Sequence, residues 1–330
     1  MTAATVLTAF TEPTTAATHA RAVVFDEPGR LAVRELALAT PGIADVLVEV
    51  EWTGISTGTE RLLWSGTMPF FPGLGYPLVP GYEAVGRVRW AGEASGRAVG
   101  QRVFVPGSYS FTEARNLFGG AASMLVAPGA RAIPVGEALE AESVLLALGA
   151  TAMHAVRDGD APLPDLIVGH GALGRLAARL VCALGGPAPT VWEISAARAH
   201  DARGYTVVRP EDDPRRDYRR VLEVSGADGV LDTLIGRLRS GGEIVVAGFY
   251  TTPLSFQFVP AFLRGVRLRV AAEWRPEDLS AVCALATDGR LALDGLITHR
   301  ADASDAAAAY ATAFGDPACI KMVIDWRNPA

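Results

Sequence analysis

The chain has 330 residues, half of them hydrophobic and a fifth charged, and a net charge of −6. That length suggests two domains, and the acidic balance excludes a duplex nucleic-acid binder, which needs a basic stripe to neutralise phosphates. No apolar run approaches the ~18 residues of a membrane span, and Met1–Ala20 lacks the basic start and continuous apolar stretch of a signal peptide, so a disordered tail on a cytoplasmic protein is expected.

From Arg21 to about Pro134 the pattern is short strands broken by Gly and Pro. Ala22–Phe25 and Leu31–Glu35 form a predicted hairpin around Glu27-Pro28-Gly29-Arg30. Val46–Trp52 alternates and runs on to Gly54, and Gly81–Trp90 and Arg102–Val105 are further strands. Closely spaced turn signals of this kind predict a small all-β barrel. After about Glu140 the rhythm changes. Ser143–Val156 reads as a helix, Asp165–Val168 as a strand, Leu173–Leu184 as a helix and Thr190–Glu193 as a strand, followed by a helix through Arg203. Arg220–Val224, Gly242–Gly248 and Val266–Ala271 are apolar strands separated by Gly229–Leu238 and Pro260–Arg264. This alternation predicts βαβ units on a doubly wound parallel sheet. Ala303–Phe314 is a predicted helix, and Ile320–Trp326 a strand that returns to the first domain. The expected division is 21–140 with 286–330 as one domain and 141–285 as the other.

The sharpest motif is Gly169-His170-Gly171-Ala172-Leu173-Gly174. It follows the strand Leu166-Ile167-Val168 and opens a helix, and Glu193 closes the next strand. In that context the glycines permit a tight turn, close approach of a pyrophosphate and helix–strand packing. The helix N-terminus offers free N–H groups to the phosphates. Glu193 would accept the adenosine ribose hydroxyls and repel a 2′-phosphate, which selects NAD over NADP; Arg198 weakens that preference slightly. His170 is expected near the cofactor without chemistry. The strand ends at Ser225 and at Gly248-Phe249 are expected to line the same crevice, since ligands bind at the carboxyl ends of strands in such sheets.

Cys182, Cys283 and Cys319 are dispersed, with no CxxC pair, so neither a zinc cluster nor a disulfide framework is legible. Lys321 is the only lysine among 30 basic residues. Its position close to the C-terminus argues against lysine chemistry.

Two motifs carry a family resemblance. Gly54-Ile55-Ser56-Thr57-Gly58-Thr59-Glu60 and Val79-Pro80-Gly81-Tyr82-Glu83-Ala84-Val85-Gly86 resemble the Gly-Ile-Cys-Gly-Thr-Asp and Pro-Gly-His-Glu-x-x-Gly segments of the medium-chain dehydrogenase/reductase superfamily. The resemblance implies a GroES-like β-barrel domain joined to a Rossmann domain, and covers nearly all of Arg21–Trp326. In zinc members the Cys and His of these segments hold the catalytic metal. Here those positions carry Ser56 or Thr57, and Tyr82, so neither a catalytic nor a structural zinc is expected. The runs Ile55–Gly66, Leu117–Ser123, Ala272–Pro276 and Asp294–Arg300 resemble the bacteriochlorophyllide dehydrogenases of that superfamily. That implies NAD-dependent oxidation of the 3-(1-hydroxyethyl) group of a bacteriochlorophyllide, a tetrapyrrole, to 3-acetyl in bacteriochlorophyll biosynthesis. A zinc-free alkene or quinone reductase and a non-catalytic dinucleotide-binding protein are the competing readings. The superfamily's usual homodimer, with Val266–Ala272 as an edge strand, is a further expectation from the resemblance.

Without a metal, side-chain hydroxyls must take the alcohol proton. Tyr82 is the first candidate, with Thr57 and Thr59 as relay groups, Glu83 as an orienting carboxylate and His154 as a proton acceptor. Trp64, Phe70, Phe71 and Tyr76 supply flat rings for a flat ligand, and Arg61 could pair with its carboxylate.

Overall fold

The structure, a computed structural model, describes residues 19–157 and 159–328. The tail expected at 1–20 therefore lies outside the described residues up to position 18; His19 and Ala20 already belong to the first strand.

That strand, β1 (His19–Glu27), turns through Pro28-Gly29 into β2 (Arg30–Ala37), with Glu27 opposite Arg30. Proline pre-sets the first turn residue, and Gly29 takes the second at φ +78°. The long β3 (Asp45–Ile55) leads through α1 (Thr59–Ser65) to β4 (Leu78–Val79), β5 (Ala84–Ala91) and β6 (Arg102–Val105). The short β7 (Arg115–Asn116), β8 (Met124–Pro128) and β9 (Ile133–Pro134) complete this half.

The second half comprises α2 (Leu146–Val156), β10 (Leu166–Val168), α3 (Ala172–Ala183), β11 (Thr190–Trp192), β12 (Thr206–Val208), β13 (Tyr218–Glu223), α4 (Val230–Arg237), β14 (Leu238–Val246), α5 (Phe258–Arg264), β15 (Arg267–Val270) and α6 (Pro276–Thr287). The chain closes with β16 (His299–Asp302), α7 (Ala306–Gly315) and β17 (Met322–Asp325).

The six strands of the second half are parallel, in the order β12-β11-β10-β13-β14-β15. The order reverses between β10 and β13, which opens the crevice in which doubly wound sheets bind ligands. The first half is two sheets, β2-β1-β4-β7 and β16-β17-β3-β5-β6-β9, with β8 also on β3. The return strand β17 lies antiparallel to β3, with Met322 opposite Ile55.

One expected helix is absent, and one helix is present that the sequence reading did not name. Between β11 and β12 a single 3-10 turn, Ala196–Arg198, replaces the helix expected through Arg203. The buried Arg175 of α3 donates to the Arg198 carbonyl at 3.1 Å, which satisfies backbone left open where the expected helix is missing. The helix α6 was not foreseen, although Pro276 at its first position and Asp278 reaching back to the Arg275 N–H at 2.9 Å are ordinary start signals. Past position 286, Leu291, Leu293 and Leu296 are buried in the core that also holds residues of α2, α3 and α6. The chain rejoins the first half only at β16. Finally, Glu137–Val156 is long and apolar enough to pass a membrane-span criterion by length and composition, but it breaks at Glu140 and 67 % of its apolar window is buried inside the protein. It is a core helix packed on α3 and α6.

Candidate functional site

The crevice between β10 and β13 is built by glycines whose missing side chains can each be accounted for. Gly169 stands at φ +104°, and a Cβ there would come within 3.1 Å of the Ser225 backbone. A Cβ on Gly174 would lie 1.8 Å from the Gly169 carbonyl oxygen, so only glycine lets α3 start against the strand end. Gly171 is different: nothing stands within 4 Å of its Cβ position. It caps α3 with no side-chain hydrogen bond, which leaves the N–H groups of the first turn, Ala172 and Leu173 included, open to an anion.

Glu193 ends β11, nearly buried, and accepts the N–H groups of His170 (2.9 Å) and Ser195 (2.7 Å). It thereby ties the glycine loop to the neighbouring strand and keeps lone pairs for ribose hydroxyls. His170, expected near the cofactor without chemistry, anchors the loop. Its N–H is taken by Glu193, and its fully buried ring bonds the Arg198 carbonyl at 2.6 Å and the Tyr205 hydroxyl at 2.9 Å. Burial pushes its pKa down to about 4, so the ring is neutral. Arg198 turns away, donating to the Pro317 carbonyl at 2.9 Å.

The other wall is organised by Glu223, at the end of β13. Its carboxylate collects the N–H groups of Ser225 (2.7 Å) and Gly226 (3.2 Å) and the hydroxyls of Ser225 and Tyr250. A Cβ on Gly248 would fall 2.8 Å from the Gly226 nitrogen, so the two strand-end turns seat side by side, with Phe249 partly exposed at the lip.

The hydroxyl site lies in the first half. Tyr82 donates to Ser56 Oγ at 2.6 Å, and Thr59 also bonds the phenol. Burial and the neighbouring Glu83 push the Tyr82 pKa further above its ordinary value of 10, against the pull of Ser56 and Thr59. Tyr82 thus stays a neutral phenol. Its ring meets the edge of Phe118 at 5.3 Å, and Phe118 meets Phe71 at 6.1 Å. Close backbone contact of Gly120 with Gly81, N to O at 2.8 Å, places Phe118 there.

Beneath this pair lies a buried charge cluster. Lys321 donates to both oxygens of Glu83 (2.9 and 2.8 Å) and to the Ile55 carbonyl (3.2 Å), so three ammonium hydrogens meet three acceptors. Glu60 accepts the Ser56 N–H at 3.0 Å and the Tyr310 hydroxyl at 2.8 Å. Burial raises its pKa to about 7. Burial also pushes Glu83 up while Lys321 pulls it back. Lys321 is thus a buried structural ammonium although it stands near the C-terminus, because β17 carries that end of the chain back against β3. Its solitary status in an arginine-rich composition was the available signal.

The remaining candidates separate. Thr57 makes no side-chain hydrogen bond among the described residues. His154 bonds Asp278 at 2.9 Å and ties α2 to α6. Trp64 packs on Phe314, and the Tyr76 hydroxyl donates to the Leu63 carbonyl, so both half-buried rings are tied to the core around α1. Phe70 is 93 % exposed, and Arg61 is exposed on α1. Of the four aromatic candidates, only Phe71 reaches the hydroxyl pair, through Phe118.

The donor set does not fit zinc. At the two ligand positions stand a serine hydroxyl and a phenol bonded to each other, and the adjacent Glu83 is neutralised by Lys321. Among the described residues no group of three His, Cys, Asp or Glu side chains could hold a metal ion.

Residues 42–137 match the alcohol dehydrogenase GroES-like domain. The 2-desacetyl-2-hydroxyethyl bacteriochlorophyllide A dehydrogenase of Rhodobacter capsulatus is 54 % identical over 93 % of this chain and 98 % of its own length. Two solved structures share the fold. An alcohol dehydrogenase of Escherichia coli CFT073 complexed with NADH has a TM-score of 0.81 at 19 % identity, over 93 % of this chain and 99 % of that one. A dehydrogenase of Sinorhizobium meliloti 1021 bound to NADP scores 0.79 at 20 % identity, over the same shares. The chain belongs to the family of the bacteriochlorophyllide dehydrogenases, oxidoreductases of the medium-chain dehydrogenase/reductase superfamily with a GroES-like and a Rossmann domain.

Proposed function

We propose that this protein oxidises the 1-hydroxyethyl group of a bacteriochlorophyllide to acetyl with NAD, without zinc. The relative's name describes a pigment with hydroxyethyl where acetyl will stand, and 54 % identity across both domains carries the substrate class to this chain. Oxidation of the carbinol removes a hydride and the hydroxyl proton, and the proton must leave through protein. NAD when bound supplies the hydride acceptor; Gly171 and the open first turn of α3 would hold its pyrophosphate, and Glu193 its ribose. A carboxylate in that place, with Arg198 turned away, supports NAD over NADP.

The observation that supports the chemistry is the Tyr82–Ser56 hydroxyl pair at the positions where zinc members hold their metal. A neutral phenol can accept the alcohol proton only while passing its own to Ser56 Oγ at 2.6 Å, and the serine hydroxyl must in turn release its own proton to solvent water, so that one proton leaves for each hydride transferred. Phe71 and Phe118 offer the macrocycle aromatic edges beside it.

The test is NADH formation from a hydroxyethyl chlorin by purified enzyme. NAD should be preferred over NADP by about tenfold or more, the size of effect that one misplaced charge exerts. Tyr82→Phe should lower kcat about 10²–10⁴-fold, the usual worth of acid–base assistance, with NADH affinity unchanged. Near one zinc per chain in the active preparation would overturn the zinc-free reading, and full turnover by Tyr82→Phe the relay.

We further propose a cytoplasmic homodimer. The edge strand β15 exposes Leu268 and Val270, and the adjacent α5 exposes Phe258, Val259, Phe262 and Leu263, the last at 72 %. An exposed edge with so much apolar surface calls for a cover. Light scattering should return twice the chain mass, and Val270→Asp should return a monomer; a monomeric wild type sinks this reading.

A further inference from the structure

The Ile55–Ser56 peptide unit is held at both ends by buried ionisable groups. Its carbonyl oxygen accepts from Lys321 Nζ at 3.2 Å, and its N–H donates to Glu60 Oε1 at 3.0 Å. Both groups are anchored by the C-terminal return: Lys321 immediately precedes β17, and Glu60 is held by the Tyr310 hydroxyl of α7 at 2.8 Å. Lys321 also bonds both oxygens of Glu83, the residue following Tyr82. One ammonium thus joins the residue before Ser56 to the residue after Tyr82. On the opposite side, the Gly54 N–H donates to the Glu83 carbonyl at 3.0 Å. Gly54 must be glycine, since a Cβ there would lie 2.0 Å from Glu83 Oε2.

Stability alone does not account for this arrangement. A buried ion pair gives about as much as well-packed apolar side chains of the same volume, and often less. A lysine–glutamate pair in such a core is better explained by what it positions. The hydroxyls are 2.6 Å apart, and their segments come from different strands. In zinc members the metal itself holds these two positions together; in this chain protein groups must do it.

We infer that Lys321 and Glu60 clamp the Ile55–Ser56 peptide and thereby fix the Ser56 hydroxyl opposite Tyr82, which makes Lys321 a positioning residue for alcohol oxidation. Neither group touches substrate. The clamp deepens the reading of Tyr82 and Ser56 as the proton path, and it rests on that reading.

The test uses the full-length enzyme with NAD and a hydroxyethyl chlorin. Lys321→Met with Glu83→Leu removes both charges together and leaves no uncompensated buried ion. Loss of the clamp should lower kcat by about tenfold or more, as small misplacements of reacting groups do, with KM for both substrates within about twofold. The solvent deuterium isotope effect on kcat should rise as the proton step becomes limiting. The thermal midpoint and NADH affinity report folding separately. A folded double variant with kcat within about threefold of wild type overturns the clamp. If the double variant does not fold, Tyr310→Phe replaces it. It deletes only the hydroxyl that holds Glu60, and should lower kcat severalfold at unchanged KM; unchanged kcat there also overturns the clamp. Tyr82→Phe run in parallel separates the two readings: if it retains full turnover, the proton path has failed, and the clamp is not what was refuted.

Discussion

Gly174→Ala should remove most dinucleotide affinity and destabilise the chain, whereas Gly171→Ala should remove affinity alone. The two glycines sit three residues apart in one loop but answer to different neighbours. A methyl on Gly174 would be 1.8 Å from the Gly169 carbonyl oxygen, a backbone atom with no freedom to withdraw. Helix α3 must then back away from β10, at an overpacking cost of about 1–3 kcal/mol. The same displacement carries the open N–H groups away from the pyrophosphate. At 1.4 kcal/mol per decade, affinity should fall by roughly tenfold to a hundredfold. A methyl on Gly171 meets nothing within 4 Å in the free protein, so the fold should be unaffected. It occupies the space through which the pyrophosphate approaches the backbone. Fluorescence titration with NADH and thermal melts of both variants would distinguish them. Wild-type affinity in Gly171→Ala would remove the pyrophosphate from this loop.

The second large effect concerns Glu60. Burial raises its pKa from 4.5 to about 7, so the folded chain holds a proton there that the unfolded chain has released. The resulting contribution is fully present below pH 4.5 and is lost as pH rises to about 7. Its full size is about 3 kcal/mol. His170 acts oppositely. Its pKa falls to about 4 from an ordinary 6.5, so its contribution is present above 6.5 and is lost as pH falls toward 4. The two slopes largely cancel in the wild type, so the measurable quantity is a difference. Glu60→Gln cannot titrate. Its stability relative to wild type, from urea melts between pH 5 and 8, should rise with pH across the window by that same order. A difference independent of pH would place the titration of Glu60 elsewhere.

The dinucleotide half was legible because its determinants are local. The glycine spacing, the strand before it and Glu193 lie within 30 residues, and each acts on its neighbours through backbone geometry. The hydroxyl half was only partly legible. Tyr82 and Thr59 could be named because they stand in motif segments, but their partner, Ser56, could not be chosen over Thr57 from spacing alone. Composition does not say which side of the Trp64 or Tyr76 ring is covered; the contacts with Phe314 and the Leu63 carbonyl are tertiary.

By itself, then, the sequence determined two domains, a parallel sheet with a nucleotide turn at its switch point, and the loss of thiolate and imidazole from the positions that bind zinc. Only the tertiary structure decided what took their place. Lys321 is 238 residues from Glu83, and Tyr310 is 250 from Glu60. No local pattern encodes such a meeting. It follows from the antiparallel pairing of β17 with β3, which turns the chain's one lysine into a buried ammonium beneath the hydroxyl pair.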